Sequence, residues 1–315
     1  MFRDKINTFI FKVSVFALFM LVVFTVGLII PDKSTIQNLH YSIIDKQRLL
    51  QEVRNPRLIL VGGSNLSFGI DSKKIQDSLN INVINIGIRS QFGLEFIFNY
   101  ISPYLKNGDI VIIIPEYELF FGENGVLGDA FALLEVIDAD PTKFFLLSFR
   151  QVLSLLKAIP KFSIWKIKTY LLSFVETKAD IREIGLYDRK SFNNFGDVGA
   201  YRESSNKKIN PTALEGNFNP IALEILKDFK KIIKMKNGRL FMSYPCLNHS
   251  SYKLSETKIR IFEQKLIENN FAILGGPERY SFPDSLHFDT KYHLTTKGVD
   301  IRTELLIQDL KKHGL

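Results

Sequence analysis

Uncharged, mostly apolar residues run without a break from Val13 to Ile30 and stop at Pro31-Asp32. A bilayer hydrocarbon core of ~30 Å is crossed by about 20 helical residues, so the run predicts a transmembrane helix over 13–30. The apolar core of a cleavable signal is shorter and ends in small residues. Leu28-Ile29-Ile30-Pro31 does not end that way, which favours an uncleaved anchor. Arg3, Lys5 and Lys12 precede the run, whereas Asp32 and Lys33 after it nearly cancel. The positive-inside bias then predicts a cytoplasmic N-terminus at 1–12 and a single-pass protein whose C-terminal domain is extracytoplasmic.

Beyond the anchor, 31–56 reads as a polar stalk with a short helix around Ile43 to Val53. The pattern then changes to short continuous apolar runs at Arg57–Val61, Asn82–Ile86 and Asp109–Pro115, with a helical stretch from about Gly93 to Leu105. Such runs, separated by helical spacing, predict parallel strands covered on both faces, the doubly wound α/β pattern. The rhythm lapses over about 120–219. There, Phe144 to Phe174 is rich in Leu, Phe and Lys with a break at Pro160, and predicts two amphipathic helices. These are either an insertion packed on the domain or a lid or membrane-surface element. Asp188 to Asn219, rich in Asn, Gly, Ser and Asp, predicts a long loop. Alternation then resumes: a helix over Ile221–Lys236 closed by Asn237-Gly238, a strand at Arg239–Tyr244, a helix at Leu254–Asn269, a strand at Phe271–Leu274 and a last helix at Thr295–Lys312. One domain over 57–315 with a central insertion is expected.

Composition narrows the function classes. The 315 residues are 46% apolar and carry a formal net charge of +8. The basic residues are scattered, and the run Lys227, Lys230, Lys231, Lys234 and Lys236 has helical spacing, which fits a solvated helix face. No nucleic-acid-binding motif accompanies the charge, so no nucleic-acid partner is expected. Cys246 is the single cysteine, which excludes an internal disulfide and a cysteine-rich zinc site. The five His residues show no metal-ligand spacing. Neither a G-x-G-x-x-G fingerprint nor a G-K-[ST] follows the first strand, so no nucleotide cofactor is implied.

Two segments carry candidate chemistry. Gly62-Gly63-Ser64-Asn65 lies where the first strand ends and a helix begins, the place where open α/β sheets build their sites. The glycines allow a tight turn, and the Ser64 amide would point from a helix N-terminus toward a developing oxyanion. A serine there also serves as a plain helix cap, and the pattern is not G-x-S-x-G. The second segment is Asp289-Thr-Lys-Tyr-His293. A serine nucleophile needs a base, histidine titrates near neutrality, and a carboxylate must fix its tautomer. Asp284 and His287, in Pro283-Asp-Ser-Leu-His287, offer a second acid–base spacing.

The order Ser, Asp, His on an α/β pattern, with acid and base just before the last helix, resembles the SGNH/GDSL hydrolase-like superfamily. The likeness is to its membrane-anchored envelope members, which act in polysaccharide O-acetylation and in D-alanine transfer to teichoic acids. It covers roughly Arg57–Glu118 and Arg239–Leu306. It implies a three-layer, flavodoxin-like parallel sheet with helices on both faces, with Ser64 as nucleophile and Asp289 and His293 as acid and base. His293-Leu294 with Gly298 matches the family's H-L-x-x-x-G ending. The Ser64 and Gly87 amides are implied as the oxyanion hole. Three departures stand out. Gly63 replaces the family's Asp, the acid–base spacing is D-x-x-x-H where Asp284/His287 would fit D-x-x-H, and Glu116 follows the third strand where the family has an oxyanion-donating Asn. Asn65, Arg89 and Glu116 are candidate substrate contacts. The implied function is a serine acyl-esterase or O-acyltransferase acting on an envelope or exported polysaccharide, with a membrane acyltransferase as a candidate partner. The missing Asn leaves open an inactive glycan-binding or acyltransferase-partner subunit.

Overall fold

The structure, a computed structural model, describes residues 2–31, 38–174, 185–203 and 209–315. The apolar N-terminal run lies in α1 (Phe2–Ile29), a helix long and apolar enough to cross a membrane. Most of α1 is exposed, but Met20, Val23, Phe24, Gly27 and Leu28 are at least partly covered. Their spacing puts them on one face of the helix.

The expected stalk ends earlier than residue 56. Residues 32–37 lie outside the described residues, but a 3-10 turn at Leu39–Tyr41 and α2 (Ser42–Glu52) pack on the domain. Ile43, Lys46 and Leu50 form the inward face of α2. Lys46 in the middle of that face masks its amphipathicity in the sequence, because its ammonium is satisfied by backbone carbonyls rather than by water.

Next come β1 (Arg57–Gly62), α3 (Ser64–Ser67), α4 (Ser72–Leu79), β2 (Asn82–Asn85), α5 (Gly93–Ile101) and β3 (Ile110–Ile114). The insertion contributes α6 (Asn124–Leu127), α7 (Ala130–Ala139) and α8 (Phe149–Leu172). The alternation resumes with α9 (Pro220–Met235), β4 (Arg239–Met242), β5 (Leu247–Asn248), α10 (His249–Glu268), β6 (Ser281–Phe282) and α11 (Thr296–Lys312). The main sheet has the order β2-β1-β3-β4, parallel throughout, and β5 pairs with β6 in a separate short ladder. Alternate residues of β1 enter two cores, as the strand's period of two requires. Ile59 and Val61 pack with residues of α5 and α9, while Leu58 and Leu60 pack with residues of α4 and α11. The sheet is therefore covered on both faces, as the continuous apolar runs predicted. The strand expected at Phe271–Leu274 is reduced to one parallel bridge, Met242 to Ile273.

The insertion departs from expectation at Pro160, which lies inside α8 and does not divide it. A proline removes one backbone donor from a helix; packing of α8 against α1 and α7 holds the helix through that gap. A capping box between Ser148 and Gln151 starts it.

Candidate active site

Ser64 opens α3 directly beyond the C-terminal end of β1. Gly63 before it is extended, at φ −97°, so the turn does not use glycine's left-handed freedom. What it uses is the absence of a side chain: a Cβ on Gly63 would collide with the Glu116 carboxylate. That carboxylate accepts hydrogen bonds from the Gly63 and Asn65 amides, each at 3.0 Å. An anion at a helix N-terminus is favoured by the exposed amides. Burial raises the Glu116 pKa, and the bonds from Asn65 oppose the rise. Glu116 thus turns onto the backbone around Ser64 and occupies two of the amides of that turn.

His293 lies in a loop before α11, and four residues hold it. Asp289 Oδ1 is 2.9 Å from Nδ1, and Tyr187 Oη is 3.0 Å from the same nitrogen. Tyr187 also donates to Asp289 Oδ2. Phe68, at the end of α3, stacks on the imidazole with centroids 4.3 Å apart. Thr290 Oγ1 accepts the His293 amide at 3.1 Å. Burial pushes the Asp289 carboxyl up, but the hydrogen bonds from His293 and Tyr187 outweigh it and hold the group below its usual range. Burial and the bond to Asp289 push the Tyr187 phenol far above its ordinary value, so it stays a donor. With Nδ1 engaged, Nε2 has no hydrogen-bond partner among the described residues.

Ser64 and His293 line one cavity of about 670 Å³, together with Asn38, His40, Arg89, Glu116, Glu118 and Tyr187 among others. No hydrogen bond joins Ser64 Oγ to His293 among the described residues. Along the wall, Arg89 Nη1 lies 2.8 Å from Glu135 and 2.9 Å from His40 Nδ1. Burial, with Arg89 beside it, lowers the His40 pKa to about 4, so His40 is neutral at pH 7. On another side, Lys291 and Tyr292 both hold Glu118, each at 2.6 Å.

Several sequence expectations land elsewhere. Asn65 does not line the cavity: it is buried, donates to Ile114 O and accepts from Arg302 at 2.8 Å. The Gly87 amide, expected to bind an oxyanion, donates to Asn85 Oδ1 at 2.9 Å. The Gly87 carbonyl accepts from the buried Lys46 and from Ser67, so the whole loop after β2 is held from below. Burial lowers the Lys46 ammonium to about 7 and raises the carboxyl of its neighbour Asp197. His287 is fully buried, with neither ring nitrogen hydrogen-bonded, and burial lowers its pKa to about 4. It lies outside the cavity, so the Asp284/His287 spacing does not bring a base to Ser64.

Tyr187, His40 and Lys46 were not singled out from the sequence. Tyr187 falls in the insertion and His40 and Lys46 in the expected stalk, segments without strand or motif patterning. No family model and no curated protein matches the chain.

Proposed function

We propose that this chain is a membrane-anchored, SGNH-like serine acyl-esterase or O-acyltransferase acting on an envelope or exported polysaccharide. The observation that carries the reading is the opening of one cavity onto Ser64, at a helix N-terminus beyond a central strand, and onto His293, whose Nδ1 is held by Asp289. In this reading Ser64 Oγ attacks an ester carbonyl and its proton passes to His293 Nε2. Asp289 steadies the imidazolium through Nδ1. The C–O bond to the leaving alcohol breaks as the proton returns to it, leaving an acyl-serine. Water or a sugar hydroxyl, deprotonated by His293, then takes the acyl group. The Ser64 amide is the oxyanion donor, and a single donor predicts slow turnover, since loss of one donor costs roughly 10²–10³ in rate. The cavity wall of Arg89, Gln91, Glu118, Tyr187 and Tyr292 supplies charged and aromatic groups suited to sugar hydroxyls and ring faces. The positive-inside bias puts the domain outside the cell.

A second reading is favoured by two specific contacts. Glu116 occupies the Gly63 and Asn65 amides, and Asn85 occupies Gly87. In this reading the chain is an inactive SGNH-like subunit that binds glycan or a membrane acyltransferase. A fluorophosphonate probe on the full-length protein in detergent separates the two. The first reading expects stoichiometric labelling that Ser64→Ala abolishes and His293→Ala slows at least about a hundredfold. A folded wild type that takes no label supports the second.

A further inference from the structure

We propose that α8 is a second membrane element, lying in the outer headgroup and acyl boundary beside α1 and docking the domain onto a lipid surface. The inference rests on α1 spanning the bilayer, and it adds where the domain sits. Phe149, Leu153, Leu156, Ile164 and Leu171 are exposed apolar residues along one line of the helix, with Phe145 before it and Phe174 after it also exposed. Their steps of three, four, seven or eight residues are helical repeats. The opposite side of α8, with Leu155 and Phe162, packs into the core. The same helix carries Arg150, Lys157, Lys161, Lys166 and Lys168 and no acidic residue. The exposed cations Arg150, Lys157, Lys161 and Lys168 border the apolar stripe, which is the pattern of a helix that lies in an anionic lipid interface.

Contact with α1 is what makes lipid the occupant. Ser163 donates from its Oγ to Phe24 O at 2.9 Å, and Lys166 reaches Leu28 O at 3.1 Å. Gly27 of α1 is buried against Ser163, where any Cβ would clash with that residue. Small residues at such a crossing let helices approach closely within lipid. Phe24 to Leu28 are part of the uncharged run Val13–Ile30, so the part of α8 touching them is held at the depth of the outer leaflet. The exposed stripe is continuous with that contact.

This placement reaches the cavity. Lys166 also pairs with Asp138 of α7, and Glu135, one turn earlier on α7, holds Arg89 and faces His40 in the cavity wall. One turn of helix is about 5 Å. The cavity is therefore held close to the bilayer, where an ester on a membrane-attached donor can enter it.

The test uses full-length protein in phosphatidylcholine–phosphatidylglycerol nanodiscs, labelled with an NBD fluorophore at single introduced cysteines. Cys246 is buried and its thiol is pushed up to about 12, so it does not compete for label. Leu156→Cys and Ile164→Cys report on the stripe, Phe16→Cys on α1, and Lys231→Cys on a solvated face of α9. The expected result is a blue-shifted, several-fold brighter signal at 156 and 164, quenched by shallow spin-labelled lipid, with a water-like signal at 231. Water-like signals at 156 and 164 with a lipid-quenched probe at 16 overturn the placement of α8 alone. Water-like signals at 16 as well overturn the spanning of α1 and the inference with it.

Discussion

At the scale of single residues, Asp289 divides its two oxygens between His293 and Tyr187, and Tyr187 also sits 3.0 Å from the histidine nitrogen that the carboxylate must fix. A phenol in that position orients the carboxylate and shares its charge. In the proposed reaction, Tyr187→Phe is expected to lower kcat about tenfold, equivalent to about 1.4 kcal/mol, with KM little changed. The Tyr187 bond is one of those that hold the Asp289 carboxyl below its usual range, so Tyr187→Phe is expected to raise the pH at which that carboxyl titrates, read by carbon-13 NMR. An unmoved carboxyl titration would reduce Tyr187 to packing. The pair Asp289 and His293 was legible from spacing and order. Tyr187 was not, because the hydroxyl arrives from a segment 102 residues away in sequence. The same holds for Glu116: its place after the third strand was visible, but its turn onto the Gly63 and Asn65 amides is a matter of side-chain direction.

At the scale of elements, α1 and α8 form a pair through a contact that tolerates almost no side chain at Gly27. Gly27→Leu is expected to separate the helices without disturbing the sheet. A cross-link between cysteines placed at Phe24 and Ser163 would then fall several-fold, while far-UV circular dichroism stays that of the wild type. Retained cross-linking would show that the contact does not depend on the missing side chain at Gly27. The two halves of this contact differed in legibility. The apolar part of α1 was plain from an uninterrupted run, which needs no partner to be recognised, although the helix itself begins upstream of that run, at Phe2. The continuity of α8 through Pro160 was not, since proline's local preference points to a break and only packing on both flanks overrides it.

At the scale of the whole molecule, one buried ion pair ties three elements together. Arg57 at the start of β1 makes two bonds to Asp109, just before β3, at 2.7 and 2.9 Å, and a third to Leu50 O in α2. Both charged groups are almost completely buried. Removing one partner strands the other charge in the interior, so Asp109→Leu is expected to cost about 3–5 kcal/mol in thermal or denaturant unfolding. The double variant Arg57→Met/Asp109→Leu should recover much of that loss; failure to recover would mean that the Arg57 bonds to the Leu50 and Tyr104 carbonyls carry the stability. This pair also explains why the short helix expected within the stalk packs on the domain: α2 is stitched to the sheet through a buried arginine, which hydropathy reads as surface. By itself the sequence determined the apolar N-terminal run, the parallel α/β sheet and the helices around it, because continuous apolar strands and periodic helices record their burial locally. Only the tertiary structure decided which polar groups are inside. Lys46, Arg57, Glu116 and His287 are buried by what other segments bring to them. The same assembly brought Ser64 and His293 to one cavity, tied the Gly87 amide to Asn85, buried Asn65 and set Tyr187 beside His293, since hydrogen-bond partners distant in sequence leave no periodic trace along the chain.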